Sequence, residues 1–145
     1  DKVKFWGILP REETLNKLEM CHALVHPSLH DSGGWVCAEM MAAGRPVICL
    51  DLGGPAVQVT KETGYIIPTD TLEQSLDGLA KAMVDLANNP ETVQSIGKAG
   101  QARVSDVIDW EVKGKTLARF YNEVLNQQTE SKLVDMDTAN LSSNE

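Results

Sequence analysis

The stretch "ALVHPSLHDSGGWVCAEMMAAGRPVICL", residues 23–50, decides the fold. "ALVH" (Ala23 to His26) is short and apolar, and Pro27 stops it as a strand is stopped. From Gly34 to Ala43 the chain is predicted helical and almost wholly apolar, with Gly44 as its C-terminal cap. "PVICL" (Pro46 to Leu50) is a continuous apolar run, the pattern of a strand buried on both faces. Strand, loop, helix and strand in that order imply a right-handed crossover between parallel strands. One carboxylate, Glu39, interrupts the apolar helix, downstream of a Ser-Gly-Gly turn and of a second acid, Asp31. A charge inside a helix that reads as buried all round calls for a partner.

The pattern continues on both sides. "VKFWG" (Val3 to Gly7) is predicted as a strand, followed by a loop from Ile8 to Arg11 and a helix to about Cys21 with Leu15 and Leu18 on one face. "LGGPA" (Leu52 to Ala56) is a loop in which Pro55 can open a short helix, and "GYIIP" (Gly64 to Pro68) is a last strand. Strands alternating with helices make an α/β protein with a doubly wound parallel sheet. After Pro68 the chain is predicted helical. Asp70 or Thr71 caps a helix with the apolar stripe Leu72, Leu76, Leu79, Met83 and Leu86. Asn89 and Pro90 start the next one. Asp109 caps a last helix whose buried face is Val112, Phe120, Val124 and Leu125. From Gln127 the composition turns polar, so residues 127–145 read as a disordered tail or one that depends on a partner.

Composition narrows the classes. The chain has 145 residues, enough for one domain with a real core, and 42% of them are hydrophobic, which is ordinary for a globular protein. A net charge of −8 argues against any general affinity for nucleic acid or anionic lipid. Cys21, Cys37 and Cys49 lie in apolar surroundings without ligand spacing, so all three read as core thiols of a reducing compartment. No run reaches the ~20 apolar residues of a membrane helix, and no signal peptide is visible. The chain opens on Asp1 rather than Met and enters a predicted strand almost at once, so it reads as cut from something longer.

Ligands of open parallel sheets bind beyond the carboxyl ends of the strands. Here those ends are Gly7 to Pro10, Pro27 to Gly34 and Leu52 to Pro55, two of them glycine-rich. The middle one runs into a helix start, where unpaired N–H groups and a partial positive charge receive phosphate without a lysine. The five residues from Gly34 to Glu39 span about 7.5 Å along a helix, comparable with the distance from a nucleotide's phosphates to its ribose hydroxyls. Glu39 could accept those hydroxyls. It could equally be paired with Arg45 or a lysine, and Asp31 could be a turn or helix-start acid. His30, beside Asp31 in the loop, is the better functional histidine; His26 reads as a satisfied core residue and His22 carries no signal. Spacing supports neither a metal site nor a Ser-His-Asp nucleophile.

The motifs from Pro27 onward resemble those of the retaining glycosyltransferases of family 4 (glycosyl transferases group 1). The resemblance rests on Pro27-Ser28, Asp31, Ser32-Gly33-Gly34, Glu39 eight positions after Asp31, Gly44-Arg45-Pro46-Val47 and Asp51-Leu52-Gly53-Gly54. It continues through Gly64-Tyr65, Pro68, Gly97 and Gly100 to Trp110-Glu111 and Tyr121. It implies a Rossmann-like sheet belonging to the C-terminal half of a GT-B glycosyltransferase. Residues 1–126 would then be part of the nucleotide-sugar-binding domain. The implied reaction moves a sugar, as a hexosyltransferase does, from a nucleotide-sugar to an unknown acceptor with retention of configuration. Neither cofactor nor metal is implied.

By resemblance Asp31 is the catalytic-site acid that contacts donor-sugar hydroxyls. The turn Ser32, Gly33, Gly34, Trp35 and Val36 contacts the diphosphate or the sugar, Glu39 holds the ribose, and Ile8-Leu9 meets the base. Asp31 is one methylene shorter than the family's usual Glu, and Gly33 replaces a common aromatic. The family's phosphate-binding Arg and Lys precede residue 1, as does the acceptor domain, so the fragment alone is expected to be inactive. The resemblance implies a cytoplasmic enzyme, with any peripheral membrane contact made through the missing domain. A nucleotide-sugar epimerase of the same fold, or a non-catalytic nucleotide-sugar-binding module, is the alternative.

Overall fold

In the computed structural model, which describes residues 2–142 and their side chains as far as residue 126, the parallel sheet is built around one strand. The elements are α1 (Arg11–Met20), β1 (Leu24–His26), α2 (Trp35–Ala42), β2 (Val47–Leu50), α3 (Gly53–Gln58), β3 (Gly64–Ile67), α4 (Leu72–Asn88) and α5 (Pro90–Arg103). A single π turn, Val104–Ile108, precedes α6 (Trp110–Ser142). The chain divides into two compact units between Asp106 and Val107. No described helix is long and apolar enough to cross a membrane.

The strand order is β1-β2-β3, all parallel, with Leu24 opposite Val47, His26 opposite Cys49 and Leu50 opposite Ile67. All four residues of β2 are buried, as its unbroken apolar run requires. Its pleat sends Ile48 and Leu50 to one face, where they pack with Ile67, Ala82 and Leu86. Val47 and Cys49 point to the other, where Cys37 of α2 comes close enough for the two thiols to interact. Cys37, Met40 and Met41 of α2 are fully buried, and each apolar side chain so buried contributes about 1.5–3 kcal/mol.

Four expectations are corrected. Residues 3–7 form no strand, and Phe5 and Ile8 are exposed. A strand exists only with a hydrogen-bonded neighbour, and among the described residues nothing pairs with this segment. On α4 the buried residues are Ser75, Ala82 and Leu86, while Leu72, Leu76 and Met83 are exposed. The helix has turned its small residues to the sheet: a Cβ on Gly78 would lie 2.6 Å from Ile67. Cys21 is exposed at the end of α1, its thiol donating to the carbonyl of Lys17. On α6, Phe120, Val124 and Leu125 are exposed, and of the expected buried face Val112 alone is half-buried.

The caps are mostly as read. Thr71 Oγ1 accepts from the Gln74 amide and Asp109 Oδ1 from the Glu111 amide. Asn89 does occupy the start of α5, but its side chain donates back to Asp85 instead of capping. The helix α6 runs on through the stretch read as a polar tail, as far as Ser142; residues 143–145 lie outside the described residues.

Helix α5 meets the end of α2 through glycine. A Cβ on Gly97 would sit 2.1 Å from the carbonyl oxygen of Gly44, whereas one on Gly114 in α6 would meet nothing within 4 Å. Gly97→Ala should therefore lower stability by about 1–3 kcal/mol through overpacking. Gly114→Ala should raise it by up to about 1 kcal/mol through helix propensity. Urea midpoints of the two variants, moving in opposite directions, check this. Burial pushes the Cys37 thiol up to about 12 and Cys49 up to about 11. At pH 8 a thiol reagent should label Cys21 well before either, and equal labelling of all three would contradict the packing.

Candidate functional site

Because β1 and β2 are neighbours, the loops that leave their carboxyl ends, residues 27–34 and 51–52, must run side by side. Asp31 joins them. Its Oδ1 accepts from the Gly33 amide at 3.0 Å and the Gly34 amide at 2.7 Å, and its Oδ2 pairs with His26 Nε2 at 3.0 Å. Its backbone carbonyl accepts from the Gly54 amide at 2.9 Å, which ties the first loop to the second. The Gly34 and Gly33 amides, with His26, hold the Asp31 carboxyl below the usual carboxylate range against an opposing desolvation effect.

Glycine is required where the loops touch. A Cβ on Gly53 would stand 2.4 Å from the Asp31 carbonyl oxygen, and one on Gly54 2.3 Å from that of Ser32. Gly34 takes φ 60°, a left-handed start for α2 that a side chain resists. Backbone lies on backbone at this end of the sheet. The first turn of α2 carries no acidic residue of its own, and the carboxylate at the helix start is that of Asp31, on the Gly33 and Gly34 amides.

Glu39 lies further along α2, and the helix is not buried all round. The side chain of Trp35 is exposed, and the carboxylate of Glu39 is 27% exposed and bonded to Arg11 Nη2 at 2.9 Å. Arg11 opens α1 and is itself 76% exposed. The expected alternative partner, Arg45, instead donates to the carbonyl of Glu19.

The structure thus brings Asp31, Ser32, Gly33, Gly34, Trp35 and Val36 into one turn at the mouth of α2, with Glu39 on the same helix. His30 is exposed beside them, and it is His26, read as a core histidine, that bonds Asp31. The signal for His26 was its place as the last residue of a strand at the ligand end of the sheet. Ile8 and Leu9 lie outside the hydrogen-bonded cluster; Ile8 is exposed and Leu9 half-buried. Among the described residues no cluster of His, Cys, Asp and Glu could hold a metal ion. A cavity of about 1030 Å³ opens elsewhere, at the amino end of the strands, lined by Ala23, Arg45, Met83, Leu86 and Lys98.

The Asp31 interactions predict a pH dependence. A carboxyl held below its ordinary value of 3.8 stabilises the fold above that pH, and the contribution is lost as the pH falls further. Asp31→Asn, which cannot ionise, should melt below the parent near pH 6, and the gap should close as both are taken under pH 4. A gap independent of pH would show that the charge of Asp31 does not hold the turn.

The family described as "Glycosyl transferases group 1" matches residues 1–103. The chain is 30% identical over 125 residues to the GDP-mannose-dependent monoacylated alpha-(1-6)-phosphatidylinositol monomannoside mannosyltransferase of Corynebacterium glutamicum, covering 81% of this chain and 32% of that one. It is 30% identical over 128 residues to the D-inositol 3-phosphate glycosyltransferase of Streptomyces avermitilis, covering 86% and 26%. Among solved structures it superposes on sucrose-phosphate synthase from Thermosynechococcus elongatus with a TM-score of 0.74 and 28% identity, covering 88% of this chain and 31% of that one. The chain therefore spans about a third or less of the proteins it matches. With the parallel sheet, the paired glycine loops and the acids at positions 31 and 39 in place, the chain belongs to the group 1 glycosyltransferases and has the fold of the matched part of a GT-B enzyme.

Proposed function

We propose that the protein carrying this chain transfers a sugar from a nucleotide-sugar to an acceptor with retention of configuration, and that residues 1–126 are part of its donor lobe. The observation that carries the reading is the glycine-rich entry to α2, ordered by Asp31 and held backbone to backbone against a second glycine loop. The diphosphate docks there, against main-chain N–H groups and the helix dipole. Glu39, further along the same helix, accepts the ribose hydroxyls, and Arg11 shares or yields its carboxylate. An ionised carboxylate has about four lone-pair sites, and Asp31 spends three on the Gly33 and Gly34 amides and His26. The fourth accepts a donor-sugar hydroxyl. A carboxylate held by three donors is a poor nucleophile, which favours a front-face reaction without a covalent enzyme intermediate.

Ser32, Trp35 and Val36 border the diphosphate, His30 lies at the sugar end, and Ile8-Leu9 faces the base. The remaining length of the protein supplies the acceptor side and the cations that neutralise the leaving diphosphate, a large part of the catalytic effect in such reactions. No metal takes part. The reading is of a cytoplasmic enzyme, supported by three free cysteines. A non-catalytic nucleotide-sugar-binding module is the second reading, favoured by how fully Asp31 is engaged within its own turn.

Glu39→Gln in the intact protein tests the site. Charge-assisted hydrogen bonds are worth about 1.5–3 kcal/mol each, so donor affinity should fall by about tenfold or more. The melting midpoint should move little, because an ion pair open to solvent on its arginine side, as Glu39–Arg11 is, contributes only about 0–1 kcal/mol. Unchanged donor binding would make Glu39 a structural acid. The 145-residue chain alone should turn over no nucleotide-sugar, and measurable transfer by it would contradict the division of labour proposed here.

A further inference from the structure

The last residue of α5 reaches across to α3. Arg103 Nε donates to the carbonyl of Gln58 at 2.6 Å, and its Nη2 to that of Val57 at 3.2 Å. These are terminal carbonyls of a six-residue helix, which lack partners inside it. The side chain of Gln58 turns the other way, and its Nε2 donates to the carbonyl of Gly33. Its Oε1 is buried without a hydrogen-bond partner among the described residues. A buried acceptor left so costs about 1–3 kcal/mol, so packing alone would be served better by leucine.

The bonds meet on one peptide unit. The Gly33–Gly34 peptide is gripped at its N–H by Asp31 Oδ1 and at its carbonyl by Gln58. A peptide flanked by two glycines meets little steric resistance to rotation. Flipped, it would turn the Gly34 N–H away from Asp31 and set the Gly33 carbonyl oxygen against that carboxylate. We infer that Gln58, braced by Arg103, is a positioning residue that locks this peptide in the orientation in which it holds the Asp31 carboxylate at the entry to α2. The inference rests on the proposed diphosphate site only for its functional consequence; the lock itself is a property of the chain.

Amide exchange and nucleotide binding of Gln58→Leu test it. Loss of one hydrogen bond should speed exchange at Gly34 by about five- to tenfold, with the amides of β2 unchanged. Affinity for GDP should fall by a similar factor, while affinity for guanosine, which has no phosphates, should hold. Unchanged exchange at Gly34, or an equal rise throughout residues 2–106, would overturn the lock; equal losses for GDP and guanosine would make Gln58 merely structural. Should the parent bind no nucleoside diphosphate, the proposed function fails and the exchange result still decides the lock. Gln58→Glu is the second variant. Its ionised carboxylate repels the Gly33 carbonyl at pH 7 and donates to it once protonated near pH 4. Exchange at Gly34, relative to the parent at each pH, should therefore rise at the first and recover at the second; no difference between them contradicts the inference.

Discussion

Three donors converge on the carboxylate of Asp31, and the ligand end of the sheet is built on that convergence. The amides of Gly33 and Gly34 shape the turn that delivers the chain into α2, and His26 anchors the same group to the end of β1. The carbonyl of Asp31, bonded to Gly54, sets the second glycine loop against the first. Without an acceptor at this position two amides would lose their partner, and the turn into α2 would lose the bonds that fix it. An aspartate suits this role because a short side chain reaches back to amides two and three residues on.

The central architecture was legible because it rests on local pattern. β2 is apolar at every position and is the middle strand, and Gly44 ends α2 in the left-handed conformation. Asp109 and Thr71 cap the helices they precede. What failed depended on partners distant in sequence. "VKFWG" has the composition of a strand, but composition does not supply a neighbour. The stripe on α4 was drawn through leucines, whereas close approach to β3 selects Ser75, Gly78 and Ala82, whose small side chains carry a weak hydrophobic signal. Cys21 was counted with the core because its neighbours in sequence are apolar, yet it closes an exposed helix end.

The same distinction runs through the site. Spacing along one element was enough to put the turn and Glu39 together on α2 and its entry loop. Partners across elements stayed hidden: Arg11 on α1 for Glu39, His26 on β1 for Asp31, and Arg103 on α5 for the end of α3. The puzzle of a lone charge on an apolar helix also resolves across elements. Glu39 faces a partly open side of α2, where an exposed arginine meets it, so the carboxylate remains accessible to an incoming hydroxyl at little desolvation cost.

The central claim is that the start of α2, ordered by Asp31, receives the diphosphate. The most direct test is to follow the amide chemical shifts of the chain during titration with GDP, and with UDP and ADP in parallel. The account predicts that the shifts concentrate at residues 31–36, 39 and 53–54, with guanosine alone leaving 33–36 unmoved. Shifts confined to the cavity at the other end of the strands, around Ala23, Arg45 and Lys98, would contradict it.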